Sequence, residues 1–200
     1  MMIDPVLATL AQASTAIVML LGAVAKWRRP AAFRHALAGY RLLPDALTAP
    51  AAFVIAATET LGAAALLFPD TRIFGAIALI ALLLVFAAGL AFNIVRGHTD
   101  IDCGCSGFAA MQAATQAATQ AATQTAMQAN APRGIGWFHV ARALLLAALA
   151  ATAFIEPAAR SVVWFDYLTL FFAVLLIVCA LLTFDVLLAN VPRLSHLRNS

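Results

Sequence analysis

The chain has 200 residues, 64% hydrophobic and 10% charged, with a formal net charge of +3. That balance argues against a water-soluble fold, because soluble domains are roughly 45–50% apolar and about 25% charged and need charge to cover their surface. The basic residues are not interleaved with aromatics on one amphipathic face, which argues against a nucleic-acid partner and leaves the lipid bilayer as the main surroundings and the charge as a marker of orientation.

A spanning helix needs about 20 mainly apolar residues. Five stretches meet that requirement: Pro5 to Ala25, Leu47 to Phe68, Ile73 to Val95, Ile135 to Ile155 and Val162 to Leu188. The expected fold is therefore all-α, a polytopic membrane helical bundle forming a single integral membrane domain over residues 1–200. The first stretch carries Gln12, Ser14 and Thr15, and nothing basic precedes Lys26. A secretory signal wants positive charge before its apolar core, so this stretch reads as a retained span. The fourth stretch holds His139 and Arg142 in its opening turns. Pro69-Asp70 and Glu156-Pro157 mark tight turns, since the residue before a proline is pushed off helical geometry, and they make the flanking spans antiparallel neighbours. Gly62-Ala63-Ala64-Ala65, Gly75 and Gly89 would let helix backbones approach closely, although alanine is abundant throughout the chain.

Lys26, Arg28, Arg29, Arg34 and Arg41 follow the first span, Arg96 and Arg133 the third, and Arg193 and Arg198 the fifth, whereas Arg72 and Arg160 lie opposite. By the positive-inside rule the N-terminus is periplasmic and the C-terminus cytoplasmic, which puts the loop after the third span on the cytoplasmic face. Residues 108–134 of that loop form a low-complexity insert. From Gln112 the unit Gln-Ala-Ala-Thr occurs three times and then degenerates. Residues 112–129 read as a solvent-exposed spacer, helical or disordered, with too little bulk to pack and no chemistry of their own.

The chemistry precedes the insert, in Asn93-Ile94-Val95-Arg96-Gly97-His98-Thr99-Asp100-Ile101-Asp102-Cys103-Gly104-Cys105-Ser106-Gly107. Two thiols one residue apart, with Gly104 and Gly107 shaping the turn, sit in a polar segment at a membrane boundary. A disulfide closing so small a ring is expected to be strained, hence easier to reduce than a structural bridge, which suits electron exchange. Arg96 favours a thiolate and Asp100 and Asp102 disfavour one. A redox pair is the leading reading. The others are an incidental turn and a metal site, for which Cys103, Cys105 and His98 supply only three ligands. Cys179, deep in the fifth span, reads as a buried small hydrophobe.

A carboxylate in hydrocarbon costs roughly 2.5–3.5 kcal/mol on insertion scales, so Glu59 in the second span is expected to face the bundle interior. Its functional readings are a proton acceptor coupled to thiol chemistry and a site for a quinone-like electron acceptor. The bland one is a carboxyl hydrogen-bonded to a neighbouring helix. Arg142 is the candidate partner by charge, although counting from the span starts separates the two by about 10 Å in depth at 1.5 Å per residue.

The segment Asp102-Cys103-Gly104-Cys105 with Gly107 resembles the signature of the methylamine utilisation protein MauE family. Further landmarks are similar: Lys26 with Pro30-Ala31-Ala32-Phe33, Tyr40 with Leu42-Leu43-Pro44, Glu59 with Gly62, Asn93 with Arg96-Gly97, and Arg142. The similarity covers most of the first 150 residues. Ser106 departs from the family's phenylalanine, and the repeat insert replaces a short connection. The resemblance implies an inner-membrane accessory protein that assists maturation of the disulfide-rich small subunit of methylamine dehydrogenase, alongside a thioredoxin-like partner. Two other classes compete with a thiol-redox factor: a transporter or permease-like subunit whose path Glu59 and Arg142 line, and a scaffold holding a periplasmic partner.

Overall fold

A computed structural model describes residues 3–99, 101, 135–156, 158 and 163–198, the side chains of 182 and 184–198 excepted. The regular elements among these residues are helical: α1 (Pro5–Arg28), α2 (Pro30–Gly39), α3 (Asp45–Leu67), α4 (Arg72–Val95), α5 (Trp137–Ala151) with a 3-10 turn over Thr152–Phe154, and α6 (Trp164–Arg198). All but α2 are long and apolar enough to cross a membrane, α5 with its 3-10 turn included. They coincide with the five expected spans. Cys103 and Cys105, with Asp102, Gly104, Gly107 and the repeat insert, lie outside the described residues.

Local chemistry sets the helix ends. Asp4 caps α1, its carboxylate accepting from the Val6 N–H at 2.8 Å, with Pro5 in the first turn where its missing N–H costs nothing. At the other end α1 runs to Arg28 rather than stopping at Ala25, so Lys26 belongs to the helix. Pro30 then opens α2, a ten-residue helix that span-length reasoning did not anticipate and whose one buried residue is Phe33. Thr71 Oγ1 donates to the Ala65 carbonyl at 2.9 Å, closing the end of α3 beside the Pro69-Asp70 turn.

The bundle is built as a lipid-solvated protein would be, with small residues inside and large ones outside. Ala16, Ala63, Ala76 and Ala150 are fully buried, while Phe74, Val85 and Leu176 are at least 70% exposed. With no hydrophobic drive between helices in lipid, close packing must hold them. The tightest approach is α3 on α4. A Cβ on Gly75 would sit 2.5 Å from the Leu66 nitrogen and 2.6 Å from the Gly62 carbonyl oxygen, so only glycine fits. Gly62 in turn faces Leu79, which is 0% exposed. α5 packs on α4, and α1 packs on α3 and α5. α6 is peripheral. Among its described side chains Val178 is the buried one, and Cys179, expected to be buried, is exposed.

The end of α4 governs where the thiol-bearing segment departs. The His98 N–H donates to the Asn93 carbonyl at 3.0 Å and the Gly97 N–H to the Ile94 carbonyl at 3.0 Å. That pair of bonds, with Gly97 at φ +74°, is a Schellman stop. A Cβ at Gly97 would meet nothing within 4 Å. Gly97→Ala is therefore expected to lower stability by about 1–2 kcal/mol through backbone conformation alone, read as a lower thermal midpoint in detergent.

Two residues on, the chain leaves the described structure and returns pinned to its point of departure. The Ile135 N–H donates to the Thr99 carbonyl at 2.8 Å, and Ile101 packs over Gly39 of α2. The intervening segment thus starts and ends at one place on the bundle, beside α2. Deleting residues 112–129 is expected to leave the thermal midpoint and membrane insertion almost unchanged, since halving a closed loop alters its closure free energy by about 0.6 kcal/mol. Aggregation or loss of insertion in that deletion would contradict this. At the opposite end, Ile3 exchanges backbone hydrogen bonds with Glu156 and Ala158.

Candidate functional site

Glu59 faces the interior, as expected of a carboxyl in a span, and is 4% exposed. Its direct partner is Lys26 rather than Arg142. Lys26 Nζ lies 2.6 Å from Glu59 Oε2, with both side chains almost fully buried. Two features of α1 make the pair. The helix continues past Ala25 and carries Lys26 inward, and Gly22, one turn earlier, makes room for the carboxylate: a Cβ there would come within 3.1 Å of Glu59 Oε1. Phe33 of α2 covers the ammonium group, its ring centroid 5.3 Å from Nζ, which gives the short helix its role. Trp27 fixes the same junction from outside, donating from Nε1 to Thr60 Oγ1 at 3.0 Å and stacking edge-on against Phe53.

Arg142 joins this centre without being the ion-pair partner. It lines the same cavity and acts electrostatically on the Glu59 carboxylate. Arg142 reaches the cavity although counting from span starts separates it from Glu59 in depth; the helices do not start level, as Trp27 near the end of α1 meets Thr60, fifteen residues into α3. The cavity measures about 30 Å³ and is bounded by Gly22, Lys26, Glu59, His139 and Arg142 together with apolar side chains of α1, α4 and α5. It has room for water and none for a quinone ring.

Asn93 and Arg96 lie elsewhere, at the end of α4. Asn93 is buried, its Nδ2 donating to the Gly89 carbonyl at 3.0 Å while its own carbonyl receives His98. The Arg96 guanidinium stacks on Phe92 at 4.8 Å. Both shape the exit toward the cysteines. Among the described residues no cluster of three or more His, Cys, Asp or Glu side chains could hold a metal ion.

The sequence reading missed Lys26, His139, Gly22 and Phe33 as site residues. Lys26 had a signal, an apolar run that continues through Trp27 and so encloses the lysine, besides standing with Phe33 among the residues that resemble the family.

A helical bundle of five membrane-length helices, with a charged centre buried between α1, α3 and α5, defines the class: a multi-pass membrane protein with an internal polar site. The family described as methylamine utilisation protein MauE matches residues 4–156, a span that contains α1 to α5 and every residue lining the cavity, and the chain belongs to that family. The methylamine utilization protein MauE of Methylophilus methylotrophus is 34% identical over 146 residues, 73% of this chain and 66% of that one. Its namesake from Paracoccus denitrificans is 39% identical over 90 residues, 45% of this chain and 48% of that protein. That from Methylorubrum extorquens is 31% identical over 102 residues, 51% and 55% of the two chains. The chain thus matches between about half and two thirds of the length of these relatives. No solved structure matches it.

Proposed function

We propose that this chain is an inner-membrane accessory protein of methylamine utilisation that assists maturation of the methylamine dehydrogenase small subunit by disulfide exchange at Cys103 and Cys105. The relatives' names support the metabolic setting. The structural support is the hydrogen bond from Ile135 to Thr99, which holds the residues before and after the cysteine-bearing segment together at the end of the bundle nearest the Glu59 cavity. Arg142 lies roughly 7.5 Å along α5 from Trp137, close beneath that exit.

In the exchange, a client thiolate attacks the Cys103–Cys105 disulfide and forms a mixed disulfide. A second client thiolate resolves it, leaving an oxidised client and a reduced pair. The disulfide of a thioredoxin-like partner then accepts the two electrons and two protons that restore the bond in this protein. Glu59 holds the proton released by the attacking thiol until the partner's leaving thiolate takes it up. Cys103→Ser or Cys105→Ser is expected to abolish maturation while insertion continues, and normal maturation in either variant would sink the reading. A periplasmic client also requires the pair on the outer face, opposite to the positive-inside expectation. Labelling by a membrane-impermeant maleimide in intact cells, compared with inverted vesicles, reads the side directly. A transport path through Glu59 and Arg142 is the weaker reading, because the cavity is water-sized and its carboxylate is bound to Lys26.

A further inference from the structure

The walls of the cavity divide by chemistry. α4 contributes only Leu83, Phe86 and Leu90, and the charged or titratable groups are Lys26 from α1, Glu59 from α3, and His139 and Arg142 from α5. The two oxygens of Glu59 are in different situations. Oε2 accepts from Lys26, whereas Oε1 lies toward Gly22 on the cavity wall, in the room that the missing side chain leaves for the carboxylate. A volume of about 30 Å³ admits one or two waters at roughly 10–15 Å³ each, and the four polar side chains supply the two to four partners a buried water needs.

His139 differs from the others in depth. Glu59 and Lys26 are buried, but His139 is half-buried, one turn from Gly136 and Ile135 where the chain re-enters the bundle. The Gly136 N–H donates to its Nδ1 at 3.2 Å, and the Gly136 carbonyl lies 3.3 Å from the same nitrogen, so the ring is held at the mouth of α5 whether Nδ1 accepts or donates. An imidazole both gives and accepts protons near neutral pH, which neither a guanidinium nor an ion-paired ammonium does.

We propose that His139 carries protons between the buried Glu59 carboxylate and the Thr99–Ile135 end of the bundle, through water held in the cavity. In each transfer the imidazolium gives a proton to a cavity water, that water gives one to Glu59 Oε1, and the neutral imidazole regains a proton from the bundle end. No electrons move. The inference rests on the reading of Glu59 as a proton acceptor but is independent of whether the thiols do the work assigned to them.

The chain contains two glutamates, Glu59 and Glu156, so carboxyl-labelled glutamate in a Glu156→Gln background isolates Glu59 in the infrared without touching the core. In lipid nanodiscs the Glu59 band is expected to switch between acid and carboxylate with pH, and the acid band to shift on transfer to deuterated water. His139→Phe is expected to slow that exchange by about a hundredfold, the scale of a positioned acid–base side chain. His139→Gln, smaller and polar, gives the same slowing if the phenylalanine variant fails to fold. Replacing both Cys103 and Cys105 by serine leaves the exchange unchanged, which separates failure of this route from failure of the thiol reading. A Glu59 carboxyl that never titrates or exchanges would overturn the inference, as would an exchange rate indifferent to His139.

Discussion

Removing the ammonium group alone, as in Lys26→Met, is expected to destabilise the bundle by about 3–5 kcal/mol, because a carboxylate is left buried without its partner. Glu59→Gln should be costly for the mirror-image reason. Removing both charges, as in Lys26→Met with Glu59→Met, should recover most of the loss, since apolar replacement of a whole buried pair is often neutral or stabilising. The pair joins α1 to α3 at 2.6 Å with both side chains out of solvent, so screening offers little relief. Reversible unfolding of wild type, both single variants and the double variant in mixed micelles closes the cycle. Single-variant losses that simply add in the double variant would show that the two charges do not depend on each other.

The second large effect is expected at Gly75. Ordinary overpacking costs about 1–3 kcal/mol because side chains yield. Here a Cβ would meet backbone, the Leu66 nitrogen at 2.5 Å and the Gly62 carbonyl oxygen at 2.6 Å, and backbone can yield only if α3 and α4 separate. Gly75→Ala should therefore exceed that range and slow formation of a disulfide between cysteines engineered on the two helices. Gly89→Ala is the control. Its nearest neighbours are the Leu42 side chain at 3.4 Å and the Tyr40 ring at 3.7 Å, so the change should fall within about 1 kcal/mol of neutral, helped by alanine's better helix propensity. Equal losses at the two positions would contradict the packing described here.

Which parts of this architecture the sequence discloses follows from where the information lies. Spans are legible because a membrane imposes length and hydropathy on each helix separately, and all five expected stretches are helical. α2 is not, because ten residues with one buried face carry no span signal. Glu59 is conspicuous as a carboxylate in an apolar run, and its inward orientation follows from cost alone. Its partner does not follow, because that depends on how far α1 and α3 slide past each other. Counting residues from span starts assumes level helices, and the Trp27 to Thr60 hydrogen bond shows how far that assumption fails. Gly75 stands in the sequence as one small residue among many, and only the crossing of α3 and α4 distinguishes it from Gly89. Cys179 illustrates the same limit in reverse: an apolar run gives no hint of which helix face meets lipid, and this thiol is on the outer one.

The redox state of the paired thiols in cells decides whether they exchange disulfides. In a Cys179→Ala background, which removes the exposed thiol of α6, cells making the amine dehydrogenase are quenched with acid and alkylated with a mass-tagged maleimide. A fraction of the wild-type pair is expected to be protected as a disulfide, and when either Cys103 or Cys105 is changed to serine the remaining thiolate is expected to be trapped in a mixed disulfide with the thioredoxin-like partner, whose disulfide it attacks. Both thiols reduced under all conditions, with no mixed disulfide in either variant, would contradict that exchange.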